Sequence, residues 1–489
     1  MPESMRLPIT MYFISMRRAG LSLHLLVVSV LLGGCATSEV TRQKTEPEAI
    51  VVLPEVRSAP VDEPAVGPVV PPVPNPPRVS LATLRTAAEA GDVQAQVNLG
   101  NCYNQGAGVE LDPRQAFEWY EKAAKQNYAP AMVIVGAMYG AGRGVGLDYA
   151  QARQWLEAGA DKLGPKAQGE LGVLYVTGGI VGEPDLIAGG RWYEKSALGG
   201  DAIGMARLGT YYLNGGKGVP VDYEKALHWL RLAAERGVSM GESNLGWMYM
   251  RGLGTDRNYD EAFKWLRSAA EKGDVKAQGN LGWMYDNGHG TATDKVTARQ
   301  WFQKAAEVGD LPSMSNFGNC YLNGTGGPRD YAQALHWIEP AAKAGNAGAQ
   351  CNMARIYGEG LGVKTDKVAA FMWYRLAADQ GDAGGIYGVG RCYKYGNGVA
   401  QDMTMAVALY QKAAAMGAVN AISALSRMYL KGDGVDKDVK KALEMALQAA
   451  DLGSSFAEET LAMMYRDGEG VPKDPVKSAE WSAKAKGPH

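Results

Sequence analysis

The chain has 489 residues, of which 63 are glycine and 46% are hydrophobic, and its formal net charge is -2 at pH 7. A charge so close to zero gives no electrostatic basis for binding nucleic acid, which depends largely on Lys and Arg neutralising phosphates. The glycine content is well above the usual ~7%, but the hydrophobic share excludes a disordered Gly-rich polymer. The composition therefore indicates many turns that separate short packed elements.

The first predicted element is a secretion signal within residues 1–34. A short basic start precedes an apolar run, 21–32, that is too short for a transmembrane helix of ~20 apolar residues. Residues 32–35, Leu-Gly-Gly-Cys, resemble the lipobox of bacterial lipoproteins. The resemblance implies cleavage before Cys35 and lipidation of its thiol, with an ordinary signal peptide or an uncleaved anchor as the alternative. Met16 is the better start, because the preceding residues only lengthen the basic region.

The residues that follow the lipobox predict a spacer. Ala36 rather than Asp follows Cys35, which by analogy with enteric lipoproteins favours the outer membrane, and we expect the protein to face the periplasm. Segment 35–80 is rich in proline, a composition that favours extended polyproline II structure. About 40 such residues would reach ~120 Å at most. The spacer would hold the folded part, 81–489, away from the membrane.

Eleven copies of one pattern occupy residues 81–489. Each unit predicts two helices. The first contains a Tyr that Leu-Gly-x-x precedes in five units and a looser version precedes in the other six, and the second begins near an Asp cap and usually carries a Trp. Glycines three and five residues after the Tyr should end the first helix, because Gly adopts positive φ without a Cβ clash. The tyrosines recur every 36 or 37 residues: Tyr103, Tyr139, Tyr175, Tyr212, Tyr249, Tyr285, Tyr321, Tyr357, Tyr393, Tyr429 and Tyr465.

The predicted fold is a stack of these helical hairpins. One hairpin cannot bury both of its apolar faces, whereas stacked hairpins can, which gives an α-solenoid. The half-unit 84–91 should cap one end and the helix around Trp481 the other. The two units of 37 residues should place their extra residue in the loops at 178–182 and 215–218.

The repeated pattern is similar to the Sel-one-like repeat (SLR), a relative of the tetratricopeptide repeat. Its signature, Ala-x-x-x-Leu-Gly-x-x-Tyr-x-x-Gly-x-Gly followed by Ala-x-x-Trp-x-x-x-Ala-Ala-x-x-Gly, is matched closely by residues 274–309. The resemblance implies an all-α, right-handed superhelix whose concave side is lined by the first helices. It also implies adaptor and assembly roles, in bacteria often in envelope and secretion systems. Ala354, Ser426 and Ala462 replace the motif Gly but keep a small residue.

The sequence contains no constellation that predicts catalysis, a metal site or a cofactor. It has no His-Glu-x-x-His and no Cys-x-x-Cys, and His228 and His336 are three repeats apart, too distant to share a metal. The glycines of 140–146 look like a dinucleotide loop, but no strand precedes them and the same glycines recur as turns. The cysteines of the repeat region are interpreted as free thiols that act as small buried hydrophobes: Cys102, Cys320, Cys351 and Cys392.

A partner surface is predicted on the first helices, at outward positions that vary between units. Two residues before the Tyr stand two tryptophans and, after one asparagine, three arginines: Trp247, Trp283, Arg355, Arg391 and Arg427. Three residues earlier stand asparagines: Asn244, Asn280, Asn316 and Asn352. We call these nine residues the ladder. The tryptophans would anchor an apolar or sugar-like group, the asparagines would bind an extended peptide backbone, and the arginines would pair with carboxylates. Alternatively, the tryptophans and asparagines are packing residues and the arginines a solvated stripe.

The leading functional hypothesis is a non-catalytic scaffold, anchored in the bacterial envelope, that binds a protein partner in the concave groove. One alternative is an assembly lipoprotein that binds cell-wall or exported polysaccharide. A second is a weak penicillin-binding or β-lactamase-type enzyme, an activity linked to some members of the family. The absence of a nucleophile–base pair in any repeat argues against this last alternative.

Overall fold

The structure, a computed structural model, describes residues 80–487. The predicted signal peptide, Cys35 and the predicted spacer up to residue 79 lie outside the described residues. Helices make up 73% of the described part, which contains no β-strand. The 23 helices are α1 (Leu81–Glu89), α2 (Val93–Gln105), α3 (Pro113–Lys125), α4 (Ala129–Ala141), α5 (Tyr149–Leu163), α6 (Pro165–Thr177), α7 (Leu186–Leu198), α8 (Ala202–Asn214), α9 (Tyr223–Glu235), α10 (Ser239–Arg251), α11 (Tyr259–Glu271), α12 (Val275–Asn287), α13 (Lys295–Glu307), α14 (Leu311–Asn323), α15 (Tyr331–Lys343), α16 (Ala347–Glu359), α17 (Lys367–Asp379), α18 (Ala383–Tyr395), α19 (Met403–Ala415), α20 (Val419–Lys431), α21 (Val439–Asp451), α22 (Ser455–Asp467) and α23 (Pro475–Lys486).

The predicted helical hairpins are confirmed. In each repeat we call the first helix, with an even number from α2 to α22, the A helix, and the second, with an odd number from α3 to α23, the B helix. Along most of the chain, the A and B helices of a repeat pack against each other, and each B helix also packs against the next A helix. Helix α1 is the additional half-unit that precedes the first repeat.

Local signals end the A helix and begin the B helix in each repeat, as repeat seven illustrates. Gly324 ends α14 in the left-handed region at φ 74°, and Gly326 follows at φ 66°. The carboxylate of Asp330 then accepts the backbone N–H groups of residues 332 and 333 at 2.9 and 3.0 Å, which caps α15. The backbone N–H of Asp330 donates to the carbonyl of Tyr321 at 3.0 Å. The loop is therefore closed by residues of the repeat motif itself.

The motif glycine allows the A and B helices of a repeat to approach closely. A Cβ atom on Gly246 would lie 2.7 Å from the side chain of Leu266 and 3.2 Å from the carbonyl oxygen of Ala262. Where Ser426 replaces this glycine, its hydroxyl donates a hydrogen bond of 2.7 Å to the carbonyl of Ala442 on the facing helix. The small residue retained at this position is thus required by the helix crossing.

The loops of the two longer repeats differ from the others. Each contains an isolated antiparallel bridge, between Gly179 and Gly182 in one and between Gly216 and Val219 in the other. The extra residue is therefore absorbed in the loop, as predicted. No helix within residues 80–487 is long and apolar enough to cross a membrane.

The described helices belong to two compact units, divided within α9 after Trp229. In unit 2, from Leu230 onward, A helices of successive repeats contact one another, as in the pairs α10–α12, α14–α16 and α16–α18. In the described part of unit 2, successive B helices make no comparable contact. The A helices therefore line the inner side of the local curvature, and the B helices form the outer side.

Candidate functional site

All nine ladder residues lie on A helices of unit 2, from α10 to α20. Their exposure is uneven: Asn316, Trp283 and Arg391 are exposed, and the other six are half-buried. The structure therefore places the ladder on one layer of helices, but the surroundings of its members differ.

Trp283 belongs to a cluster of three aromatic rings. Its ring centroid lies 4.8 Å from that of His289, and His289 stacks on Tyr259 at 4.2 Å with an interplanar angle of 9°. These contacts leave 36% of the Trp283 side chain exposed. The contact with His289, which is itself stacked on Tyr259, orients the indole of Trp283, so the indole can serve as a preformed apolar anchor at low entropic cost.

Trp247, by contrast, is partly a packing residue. It is half-buried against the core cluster that contains Met250, Leu266 and Met284. Of the two predicted anchors, Trp283 is therefore the better placed to contact a partner.

The asparagines also occupy different surroundings. Asn352 donates from its amide nitrogen to the hydroxyl of Ser315 at 3.2 Å, which connects the neighbouring helices α16 and α14. Asn316 is exposed, whereas Asn244 and Asn280 are half-buried. Asn352 thus has a structural contact of its own, and Asn316 is the most accessible of the four.

Two of the three arginines already have contacts within the protein. Arg355 donates to the side-chain oxygen of Asn323 at 2.5 Å and lies 3.7 Å from Glu359. The guanidinium of Arg427 lies 3.7 Å from the ring centroid of Phe456 and 3.7 Å from a carboxylate oxygen of Glu459. Burial lowers the pKa of Arg427, against the opposing effect of Glu459. Arg427 therefore contributes mainly to the packing between α20 and α22.

Arg391 is the ladder arginine that is open to a ligand. It is exposed on α18, and within residues 80–487 it forms no ion pair or hydrogen bond. Burial raises the pKa of Tyr374 and Tyr387, and the nearby charge of Arg391 partly opposes this rise. Exposed Tyr395 lies on the same helix. Arg391 thus presents an unpaired cation beside aromatic side chains.

Two members of the site were not singled out from the sequence. Tyr259 and His289 come from a B-helix start and from a loop, and the repeat pattern gives no reason to join them with Trp283. One signal was available in the sequence: His289 stands between two turn glycines, Gly288 and Gly290. The equivalent position in other repeats holds unrelated residues.

The four cysteines of the repeats are free thiols. Burial raises the pKa of Cys320 to about 11, and burial together with the charge of Asp382 raises the pKa of Cys351 to about 12. Such thiols stay protonated and are poor nucleophiles at neutral pH. Within the described part of the chain, no group of three or more His, Cys, Asp and Glu side chains is placed to hold a metal ion.

Comparison with known proteins identifies the repeat. A family model described as Sel1 repeat matches eleven successive segments: 93–128, 129–162, 165–201, 202–238, 239–274, 275–310, 312–346, 347–382, 383–417, 419–454 and 456–486. No curated protein matches the chain.

Two solved structures are similar to the chain. A protective antigen with an SLR fold, present in uropathogenic Escherichia coli strains, is 36% identical over 83% of this chain and 87% of its own, with a TM-score of 0.63. A Sel1 repeat protein from Oxalobacter formigenes is 27% identical over 58% of this chain and 98% of its own, with a TM-score of 0.41. Proteins built from such repeats typically mediate protein–protein interactions as non-catalytic scaffolds. The chain is an all-α solenoid and belongs to the Sel1 repeat family.

Proposed function

We propose that this protein is a lipid-anchored, non-catalytic scaffold of a bacterial cell envelope that binds a protein partner along the ladder of unit 2. The main observation that supports this binding site is the exposed, unpaired guanidinium of Arg391. It lies on the same layer of A helices as the oriented ring of Trp283. An exposed arginine can bind a carboxylate with two parallel hydrogen bonds. An exposed, preoriented tryptophan is a frequent energetic centre of protein interfaces.

The spacing of these two residues defines the partner segment. Trp283 on α12 and Arg391 on α18 are three repeats apart. Packed helices lie about 10 Å apart, so the two side chains are separated by roughly 30 Å. An extended peptide rises about 3.3 Å per residue, so about nine residues would connect the two. The partner would therefore present an extended segment with an aromatic or apolar side chain at one end and a carboxylate at the other.

The binding site is tested by photo-crosslinking in cells. A photoreactive amino acid at position 283 should trap one recurrent envelope protein, and position 391 should trap the same protein. In the chain that carries the crosslinker at 283, Arg391→Glu should reduce the adduct at least about tenfold, because it replaces a cation–carboxylate contact with repulsion. Mass spectrometry of the adducts identifies the partner.

Lys412→Glu is the matched control, because it makes the same charge change in the same repeat on the exposed surface of the B helix α19. It should leave the adduct at 283 unchanged. Adducts found only within the chain would contradict the proposal and assign the ladder to packing. Adducts with glycan alone would favour the polysaccharide-binding alternative, in which Trp283 stacks on a sugar ring.

The envelope anchor rests on the lipobox-like residues that end at Cys35. Replacing Cys35 by Ser removes the thiol that a lipid would modify. The full chain should then lose incorporated palmitate and move out of the outer-membrane fraction, since several acyl chains on one residue anchor a protein stably. Crosslinking from position 283 measures partner binding, whereas palmitate labelling measures attachment to the membrane. The two proposals can therefore fail independently. Unchanged palmitate labelling would refute the anchor at this residue.

A further inference from the structure

The outer surface of unit 2 carries an apolar stripe on the B helix α17. Val368, Met372 and Leu376 are 57%, 61% and 48% exposed. They are spaced by four residues, so they follow one another along one face of the helix. Three large apolar side chains in a row on the surface of a single helix are unusual outside an interface.

The repeat motif does not require these residues. The three equivalent positions in other B helices of unit 2 hold mostly polar, charged or small residues: Ala332, His336 and Pro340 in α15; Val296, Gln300 and Lys304 in α13; Asp260, Lys264 and Ser268 in α11; Thr404, Ala408 and Lys412 in α19. The inward-facing residues that pack each B helix, such as Ala370 and Ala377 in α17, are separate from the stripe. The stripe is therefore a property of this one helix.

Opposite charges stand at the two ends of the stripe. Lys364 lies four residues before Val368, and Asp379 lies three residues after Leu376; both charged residues are exposed. Asp379 lies 3.8 Å from Arg375 on its own helix. Lys364 lies in the loop before α17, whose N-terminus is capped by Asp366, and Asp379 is the last residue of the helix. In an antiparallel pair of such helices, the Lys364 end of one copy meets the Asp379 end of the other.

We propose that α17 is a self-association surface, on which it packs antiparallel against α17 of a second copy of this chain. A twofold axis at Met372 places Val368 opposite Leu376 of the second copy and Lys364 opposite Gln380, next to Asp379, of the second copy. The same patch serves both copies, as an isologous interface requires. The surface lies on a B helix, on the side away from the ladder, so the pairing leaves the proposed partner site open.

The size of the stripe sets the strength of the pairing. A helix of 13 residues is about 20 Å long. A single helix pair buries less than the ~800 Å² per partner of a standard stable interface. The dimer is therefore weak and depends on concentration.

Disulfide crosslinking of the full chain in cells tests the pairing at the axis. Met372→Cys brings two thiols together at the twofold axis and should give a disulfide-linked dimer at least about tenfold above the parent chain, whose own cysteines give the background. His336→Cys is the matched control, because it places a thiol at the equivalent exposed position of α15. A dimer yield from Met372→Cys no higher than from His336→Cys overturns the proposal, as does a disulfide to a different protein.

Two further variants test the orientation. Chains with Val368→Cys and Leu376→Cys, produced together with different tags, should crosslink to each other more than either does to itself; preferential Val368→Cys homodimers would indicate parallel helices and overturn the proposal. In the Met372→Cys chain, Lys364→Asp or Asp379→Lys should lower the dimer yield about fivefold, the effect of exposed charge pairs. The two exchanges combined should restore it. Equal yields in all three charge variants would contradict the antiparallel pairing.

Discussion

Replacing Gly326 by Ala should destabilise the repeat stack by about 2 to 5 kcal/mol, the sum of left-handed backbone strain and a steric clash. Gly326 has φ 66°, a conformation that residues with a Cβ adopt at a cost. Its Cβ would lie 2.1 Å from the carbonyl oxygen of Lys295, the first residue of α13 in the preceding repeat. A backbone carbonyl at a helix start cannot move away as a flexible side chain could, so the two repeats must separate.

Gly309→Ala is the control for this substitution. Gly309 has φ 87°, and no atom lies within 4 Å of the position that its Cβ would take. Gly309→Ala should therefore lower the free energy of unfolding only by the backbone strain, about 1 to 2 kcal/mol. Urea denaturation followed by circular dichroism at 222 nm measures both variants. Equal losses would show that strain alone matters and that Gly326 does not hold the repeats at this distance.

Much of the fold could be predicted because its signals are local and repeated. An Asp cap, an Ala stripe and a glycine at the helix end each act within a few residues, and eleven copies average out the exceptions. The role of Gly326 could not be predicted in the same way. The sequence shows it only as a second turn glycine, whereas its contact with Lys295 joins two repeats.

The candidate site was predictable in position but not in detail. Periodicity places Arg355, Arg391 and Arg427 at equivalent positions on one layer of helices. It does not show that Phe456 and Glu459 from the next repeat hold Arg427, or that Asn323 binds Arg355. Side-chain neighbours across repeats depend on residues outside the motif. For this reason the three arginines could not be ranked from the sequence, whereas the structure leaves only Arg391 of the three open to a ligand.

The second large expected effect is a loss of stability when a buried carboxylate in repeat five is deprived of its lysine partner. Glu242 is 3% exposed, and one of its oxygens accepts hydrogen bonds from Ser268 at 2.9 Å and from Lys272 at 2.7 Å. Lys272→Met leaves this carboxylate without its cation. We expect a loss of about 2 to 3 kcal/mol, below the range for fully buried pairs because part of Lys272 remains in water. Lys276→Met, at an exposed position of α12, should change stability by less than about 0.5 kcal/mol.

Other repeats show how the loss can be reversed. In two of them glutamines replace both partners: Gln126 donates to Gln96 at 2.8 Å, and Gln380 donates to Gln350 at 2.8 Å. Gln96 also donates to the carbonyl of Ala88, a bond that a carboxylate at position 242 cannot make. Glu242→Gln combined with Lys272→Gln should therefore stay within about 1 kcal/mol of the parent, since a neutral pair leaves no buried charge unpaired.

Urea denaturation of the parent, Glu242→Gln, Lys272→Gln and the double variant forms the cycle that measures the coupling between positions 242 and 272. A double variant as unstable as Lys272→Met would mean that the loss arises from lysine packing and not from the unpaired charge of the buried carboxylate. A recovered double variant would show that the repeat accepts either a charged or a neutral pair at this junction. What it does not accept is one charged partner alone, because the free energy of burying an unpaired carboxylate exceeds that of any single hydrogen bond it retains.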